Sequence, residues 1–261
     1  MLHYTETGAQ NKGPVLVLLH GFCENHKLWN DFEHKLGQRY RVLSPDLPGF
    51  GESTALEEDF SIKDVAEVLW DWLDELALEE VVLVGHSLGG YVALAMLELE
   101  PHRILGIGMF HSTAYADTEE KKRSRENVIS FVKRHGVDKF VISFVPQLFY
   151  APNRVNLQNE IEKAVEEARS TPQETLIGYT RAMQNRPARL SFLRQFSGPI
   201  VYIIGDQDGT VPLADSLAQV QALPTCLSLV LEETGHMGIY EQPKESLLML
   251  EQFMEAIVAV E

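Results

Sequence analysis

Short apolar runs and longer mixed stretches alternate along the chain. Residues 15–19, 81–84, 104–110, 200–204 and 227–231 are compact apolar runs of strand length, and residues 40–44 make another. Between them the spacing turns helical. Ser61-Ile62-Lys63-Asp64 has the form of a capping box opening an amphipathic helix through Leu78, with Val65, Leu69, Trp72, Leu73 and Leu76 on one stripe. Residues 88–99 carry leucine, alanine and methionine with no proline before Pro101, as expected of a helix buried against a sheet, and residues 247–258 form a closing helix. Strands alternating with helices predict an α/β fold whose twisted sheet is mostly parallel and flanked by helices on both faces.

One segment breaks the alternation. Residues 114–189 show no strand signal, only helical patterns such as 119–134 and 159–169. At this length one domain with an insertion is expected. Residues 1–113 and 190–261 would form the core, and residues 114–189 an inserted helical lid above the sheet.

Composition narrows the partners. Lys+Arg is 22 against Asp+Glu 38, a formal charge of −16, which disfavours nucleic acid and anionic membrane surfaces, although solubility alone accounts for such a charge. Cys23 and Cys226 form neither a disulfide framework nor a CxxC pair, so they fit a reducing compartment, with Cys226 read as a small buried hydrophobe. Residues 1–6 lack the basic region and apolar core of a signal peptide, and no run approaches the roughly 18 apolar residues of a membrane span. The expectation is a soluble cytoplasmic protein. Lys121-Lys122-Arg123-Ser124-Arg125 has the charge for an anion site, but Glu119, Glu120 and Glu126 surround it, and a solvated helix face is the preferred reading.

The chemistry concentrates where an apolar run ends abruptly, in Val84-Gly85-His86-Ser87-Leu88-Gly89-Gly90. In G-x-S-x-G the serine sits in a strained strand-to-helix turn, where side chains at Gly85 and Gly89 would collide with their neighbours. A serine hydroxyl is a poor nucleophile at neutral pH and needs a base within hydrogen-bond reach. The alternative is a turn in which Ser87 merely caps the helix. A base and an orienting acid should follow in the order acid, then histidine. His236 lies just beyond the last strand, in Thr234-Gly235-His236-Met237-Gly238, and the acid candidates Asp206 and Asp208 lie in the turn after the preceding one. Either aspartate could be a turn residue.

Taken in order, His20-Gly21-Phe22, Asp46-Leu47-Pro48-Gly49-Phe50-Gly51-Glu52-Ser53, the Ser87 elbow and the Asp208 and His236 loops resemble the α/β-hydrolase superfamily across nearly the whole chain, in its lidded, carboxylesterase or haloperoxidase-like branch. In that family the acid stands three residues after a glycine and four before a proline, which favours Asp208 over Asp206. The resemblance implies a serine hydrolase cleaving a carboxylic ester or related acyl compound. Ser87 would be nucleophile, His236 base and Asp208 its orienting acid, with the backbone N–H groups of Phe22 and Leu88 as oxyanion hole. It implies a small-molecule acyl substrate and neither metal nor organic cofactor.

Several relatives keep the scaffold and change the chemistry. Serine at the elbow argues against dehalogenases and most epoxide hydrolases, which place aspartate there. Thioesterases, lactonases, perhydrolases, carbon–carbon bond hydrolases and a small-molecule receptor with a retained triad remain alternatives. His20 is expected to brace the oxyanion loop, His111 to line the pocket or cap its loop, and His3, His26, His34, His102 and His135 to be exposed. Phe144, Leu148, Phe149, Tyr150, Leu176, Tyr179 and Met183 are the lid residues from which an apolar chamber would be built.

Overall fold

The computed structural model describes residues 1–57 and 59–259. Seven strands, β1 (Tyr4–Thr7), β2 (Val15–Leu19), β3 (Arg41–Pro45), β4 (Val81–His86), β5 (Ile104–Phe110), β6 (Ile200–Gly205) and β7 (Leu227–Leu231), form one sheet in the order β1-β3-β2-β4-β5-β6-β7. Every neighbouring pair is parallel except β1–β3 at the edge. All residues of β2, β4 and β6 are buried, as covering both faces of a sheet requires. Alternate residues serve opposite cores: Val17, Leu19 and Leu83 point into one, Leu16, Leu18, Val82 and Val84 into the other.

The helices are α1 (Asn30–Leu36), α2 (Ile62–Glu75), α3 (Leu88–Leu99), α4 (Glu119–Leu148), α5 (Gln158–Arg169), α6 (Gln173–Asn185), α7 (Leu190–Gln195), α8 (Leu213–Ala222), α9 (Gly238–Glu241) and α10 (Pro243–Val258). The capping box forms as its residues predict: Ser61 Oγ accepts from the Asp64 N–H, and Asp64 Oδ2 accepts from the Ser61 N–H. The helix stops three residues before the expected Leu78. Ala77 turns left-handed at φ 53°, and the Ala77 and Leu78 N–H groups fold back onto the carbonyls of Asp74 and Leu73 at 2.9 and 3.0 Å. The pattern also misses β1, whose Tyr-Thr-Glu-Thr sequence is polar and only four residues long. An edge strand of this kind is held by its ladder to β3 rather than by burial.

Helices α4, α5 and α6 fall between β5 and β6 in the chain, and α4 packs on both of the others. α4 is broken at Gly136, φ 83°. The chain leaves the sheet and returns to it at one point, where the Arg189 N–H donates to the Ala114 carbonyl at 2.7 Å and Arg189 Nε to Glu98 at 2.7 Å. Among the described residues no helix is long and apolar enough to cross a membrane. Both cysteines are free; Cys23 is buried, but Cys226 is only half-buried, because it precedes an edge strand whose outer face is open.

Candidate active site

At the end of β4 the backbone reverses into α3 through Ser87, whose φ of 50° and ψ of −113° lie outside the regions that a side chain usually tolerates. Surrounding groups hold the strain. The Ser87 N–H donates to the Phe110 carbonyl at 2.9 Å, and its own carbonyl accepts from Ser112 Oγ at 2.7 Å. A Cβ on Gly85 would lie 2.2 Å from the Gly89 carbonyl carbon, and one on Gly89 2.3 Å from the Leu19 carbonyl oxygen, so neither position admits a side chain. The Ser87 side chain makes no capping bond to α3, which removes the cap alternative.

The turn after β6 places Asp208 with its carboxylate almost wholly enclosed. Oδ1 accepts from the N–H groups of Thr210 and Val211 at 2.7 and 2.9 Å, and Oδ2 from the Nδ1 atoms of His236 and His111 at 2.7 and 3.1 Å. Burial opposes the charge, but His236 and His111 together outweigh it and hold the carboxyl well below the usual range. Asp206 instead accepts from the Thr234 N–H at 3.2 Å and braces the loop that carries His236. Asp208, not Asp206, meets the histidine.

His111 neither lines the cavity nor is merely a loop cap. Its Nε2 accepts from the Gly238 N–H at 3.2 Å, so its one proton sits on Nδ1 and points at Asp208. Burial pushes its pKa down to about 4 against the pull of Asp208, which keeps the ring neutral at pH 7.

A second buried cluster adjoins the first at His86. Both ring nitrogens of His86 face pure acceptors, Nδ1 toward Glu24 Oε2 and Nε2 toward the His236 carbonyl, each at 3.0 Å. Only an imidazolium can donate to both. Burial works against that charge, yet Glu24 and the His236 carbonyl raise the pKa of His86, while burial and His86 oppose each other at Glu24 and His86 prevails, lowering it. The same Glu24 oxygen accepts from the Gly21 N–H at 2.5 Å. A Cβ on Gly21 would meet that oxygen at 2.5 Å and His86 Nδ1 at 2.7 Å, so a side chain there would displace the pair. His20 braces the loop as expected, through Gly21 O and the Leu47 N–H, both at 2.8 Å.

Beside these clusters lies a cavity of about 100 Å³. Phe22, Glu24, His86, Ser87 and His236 line it from the core, Arg125, Phe140, Phe144 and Leu148 from α4, and Met183 from α6. Phe149, Leu176 and Tyr179 are buried within the insertion or against the core instead; the Tyr179 hydroxyl donates to the Pro48 carbonyl at 3.0 Å. The N–H groups of Phe22 and Leu88 have no protein acceptor among the described residues, and neither does a bond join Ser87 to His236, which share the cavity wall.

Two expectations are corrected here. His26 is buried rather than exposed, because Asp46 Oδ1 accepts both its Nδ1 and its backbone N–H, at 2.8 and 2.7 Å. The basic run on α4 is not simply a solvated face: Lys122 pairs with Glu119, but Arg125 turns inward, binds Asp117 and reaches the cavity. Glu24 and Asp117 are buried charges that no local pattern marks. His111, Asp208 and His236 could supply a metal donor set, as could His3, His26 and Asp46, but in the first group both inward nitrogens are already spent on Asp208.

The chain matches the model of a family described as alpha/beta hydrolase fold over residues 14–243, and it belongs to that family. An 82-residue stretch is 44% identical to an uncharacterized protein of Mycobacterium tuberculosis, covering 31% of this chain and 24% of that one, so the chain spans about a quarter of the length of the first curated relatives it matches. Over nearly the whole chain it is similar to 3-oxoadipate enol-lactonase 1 of Acinetobacter baylyi, 24% identical across 96% of this chain and 91% of that one. Among solved structures it resembles a malate-bound thermophilic esterase from Thermogutta terrifontis, 27% identical with a TM-score of 0.91 over 98% of this chain and 93% of the other.

Proposed function

We propose that the protein is a serine hydrolase that cleaves a carboxylic ester, or the internal ester of a lactone, through an acyl-enzyme. One observation carries the reading: a serine strained into a tight elbow shares a cavity with a histidine whose far nitrogen donates to a four-donor carboxylate. Ser87 Oγ attacks the carbonyl carbon while His236 Nε2 takes its proton, and Asp208 holds the tautomer and stabilises the imidazolium. The N–H groups of Leu88 and Phe22 receive the developing oxyanion, a donor in such a hole being worth about 3–4 kcal/mol. Collapse returns the proton to the leaving alkoxide, and water repeats the sequence to release the acid. Residues 114–189 act as the lid that shapes the acyl or alcohol chamber. Two unpaired cysteines support a cytoplasmic setting.

Short-chain p-nitrophenyl esters test this directly. Wild-type protein should turn them over repeatedly and be labelled at Ser87 by a fluorophosphonate, and Ser87→Ala should lose both with an unchanged melting temperature. Full activity in Ser87→Ala would refute the assignment.

A further inference from the structure

Asp117 is fully buried and shared by two arginines. Its Oδ1 accepts from Arg186 Nη1 at 2.7 Å, and its Oδ2 from Arg125 Nε. Arg186 is enclosed: it also donates to the carbonyls of Met183 and Tyr115 and lies 3.9 Å from the centroid of the Tyr91 ring. Arg125 is not. Its side chain keeps 21% of its exposure, lines the cavity with Ser87 and His236, and finds no acceptor for its two terminal nitrogens among the described residues.

One carboxylate against two guanidinium groups leaves a unit of positive charge, and the free end of that charge faces the cavity. Of the other charges there, His86 neutralises Glu24, while the Asp208 carboxylate is held by four donors behind His236 and does not line the cavity. Lys121, one turn before Arg125, adds a second cation beside the cavity through its bond to the Thr210 carbonyl at 3.3 Å. The wall contributed by Val128, Phe140, Phe144, Leu148 and Met183 is apolar. On a chain of net charge −16, a cationic point in an apolar chamber is a local device rather than part of a general field.

We infer that Arg125 anchors a carboxylate on the substrate, so that the site takes esters or lactones carrying a second, free carboxylate group. The inference rests on the hydrolase reading for its reaction but on Arg125 for its specificity. Nε remains on Asp117, which fixes the plane of the guanidinium and aims its terminal donors at the incoming anion. Arg125 is a binding residue and takes no part in proton transfer.

The experiment compares monoethyl esters of succinic, glutaric, adipic and pimelic acids with analogues in which the free carboxylate is a carboxamide. The readout is the ratio of kcat/KM within each pair, which cancels any general loss of activity in a variant. Wild type should favour the carboxylate about tenfold or more at the best chain length, mainly through KM. Arg125→Gln should bring the ratio to about one, and Arg125→Lys should leave an intermediate value. A wild-type ratio near one at every length, or a ratio retained in Arg125→Gln, overturns the inference. Calorimetric binding of the same pairs to Ser87→Ala protein, with and without Arg125→Gln, decides the matter even if no ester is turned over. Absence of turnover of both these esters and the p-nitrophenyl esters would sink the hydrolase reading and leave the anion site standing or falling by the binding data.

Discussion

Replacing Glu24 by glutamine keeps the shape of the side chain and removes the counter-charge that His86 touches. The carboxylate is only 13% exposed, and its partner ring 1%, so solvent replaces little of the lost attraction. Breaking a buried pair by removing one member costs about 3–5 kcal/mol. The lower end applies, because the amide oxygen can still accept from Gly21 and His86 can shed its proton. About 3 kcal/mol corresponds to a fall in melting temperature of roughly 6–12 °C for a domain of this size.

The pH dependence is the sharper test. Glu24 is lowered from an ordinary value of 4.5, so its contribution is present above that value and fades as pH falls through the folded pKa. His86 is raised from 6.5, so its contribution is complete below 6.5 and fades as pH rises through the folded pKa. Both are in place between pH 4.5 and 6.5. Melting curves of wild type and Glu24→Gln across the pH range should therefore be furthest apart in that window and converge on the alkaline side. A gap that is constant, or that widens toward high pH, would show that His86 is not held as an imidazolium.

Two other substitutions probe different parts of the molecule. His111→Phe removes one of the four donors on Asp208 while keeping a ring of similar size, so the carboxylate that orients His236 is less well fixed and kcat should fall about threefold to tenfold. An unchanged kcat would mean that Asp208 does not depend on His111. Ala77→Gly relieves a left-handed alanine at the end of α2, and after the entropic cost of glycine it should stabilise by about 0.5–1 kcal/mol, seen as a rise of roughly 1–4 °C. A lower melting temperature would show that the Ala77 methyl packs better than its backbone is strained.

What the chain reveals before folding depends on the range of the physics involved. The parallel strands were legible because burial on both faces forces continuous apolar runs, whereas Tyr4–Thr7 carries no such mark and exists only as a ladder to β3. Ser87, Asp208 and His236 stand out through local turn chemistry: glycines that must be glycines, and loops that follow strands. Glu24, His111 and the Asp117 pair do not, because each is defined by a partner far along the chain, 62 residues for Glu24–His86 and 97 for His111–Asp208. A glutamate destined for burial looks the same in sequence as one destined for water. The basic run misled at short range: Asp117 stands only eight residues before Arg125, but nothing in the sequence marks it as the buried carboxylate that turns this helix face inward.

The meeting of Ala114 with Arg189, reinforced by Asp117 gripping Arg125 near the start of the insertion and Arg186 near its end, makes a narrow neck. Whatever is strung between the two ends is closed off locally, and doubling the length of such a loop costs only about 0.6 kcal/mol. The sheet and its elbow thus act as a fixed socket and the helices as an exchangeable cartridge. Under the proposed function, substrate range would be rewritten inside the cartridge without disturbing the geometry that would break the bond.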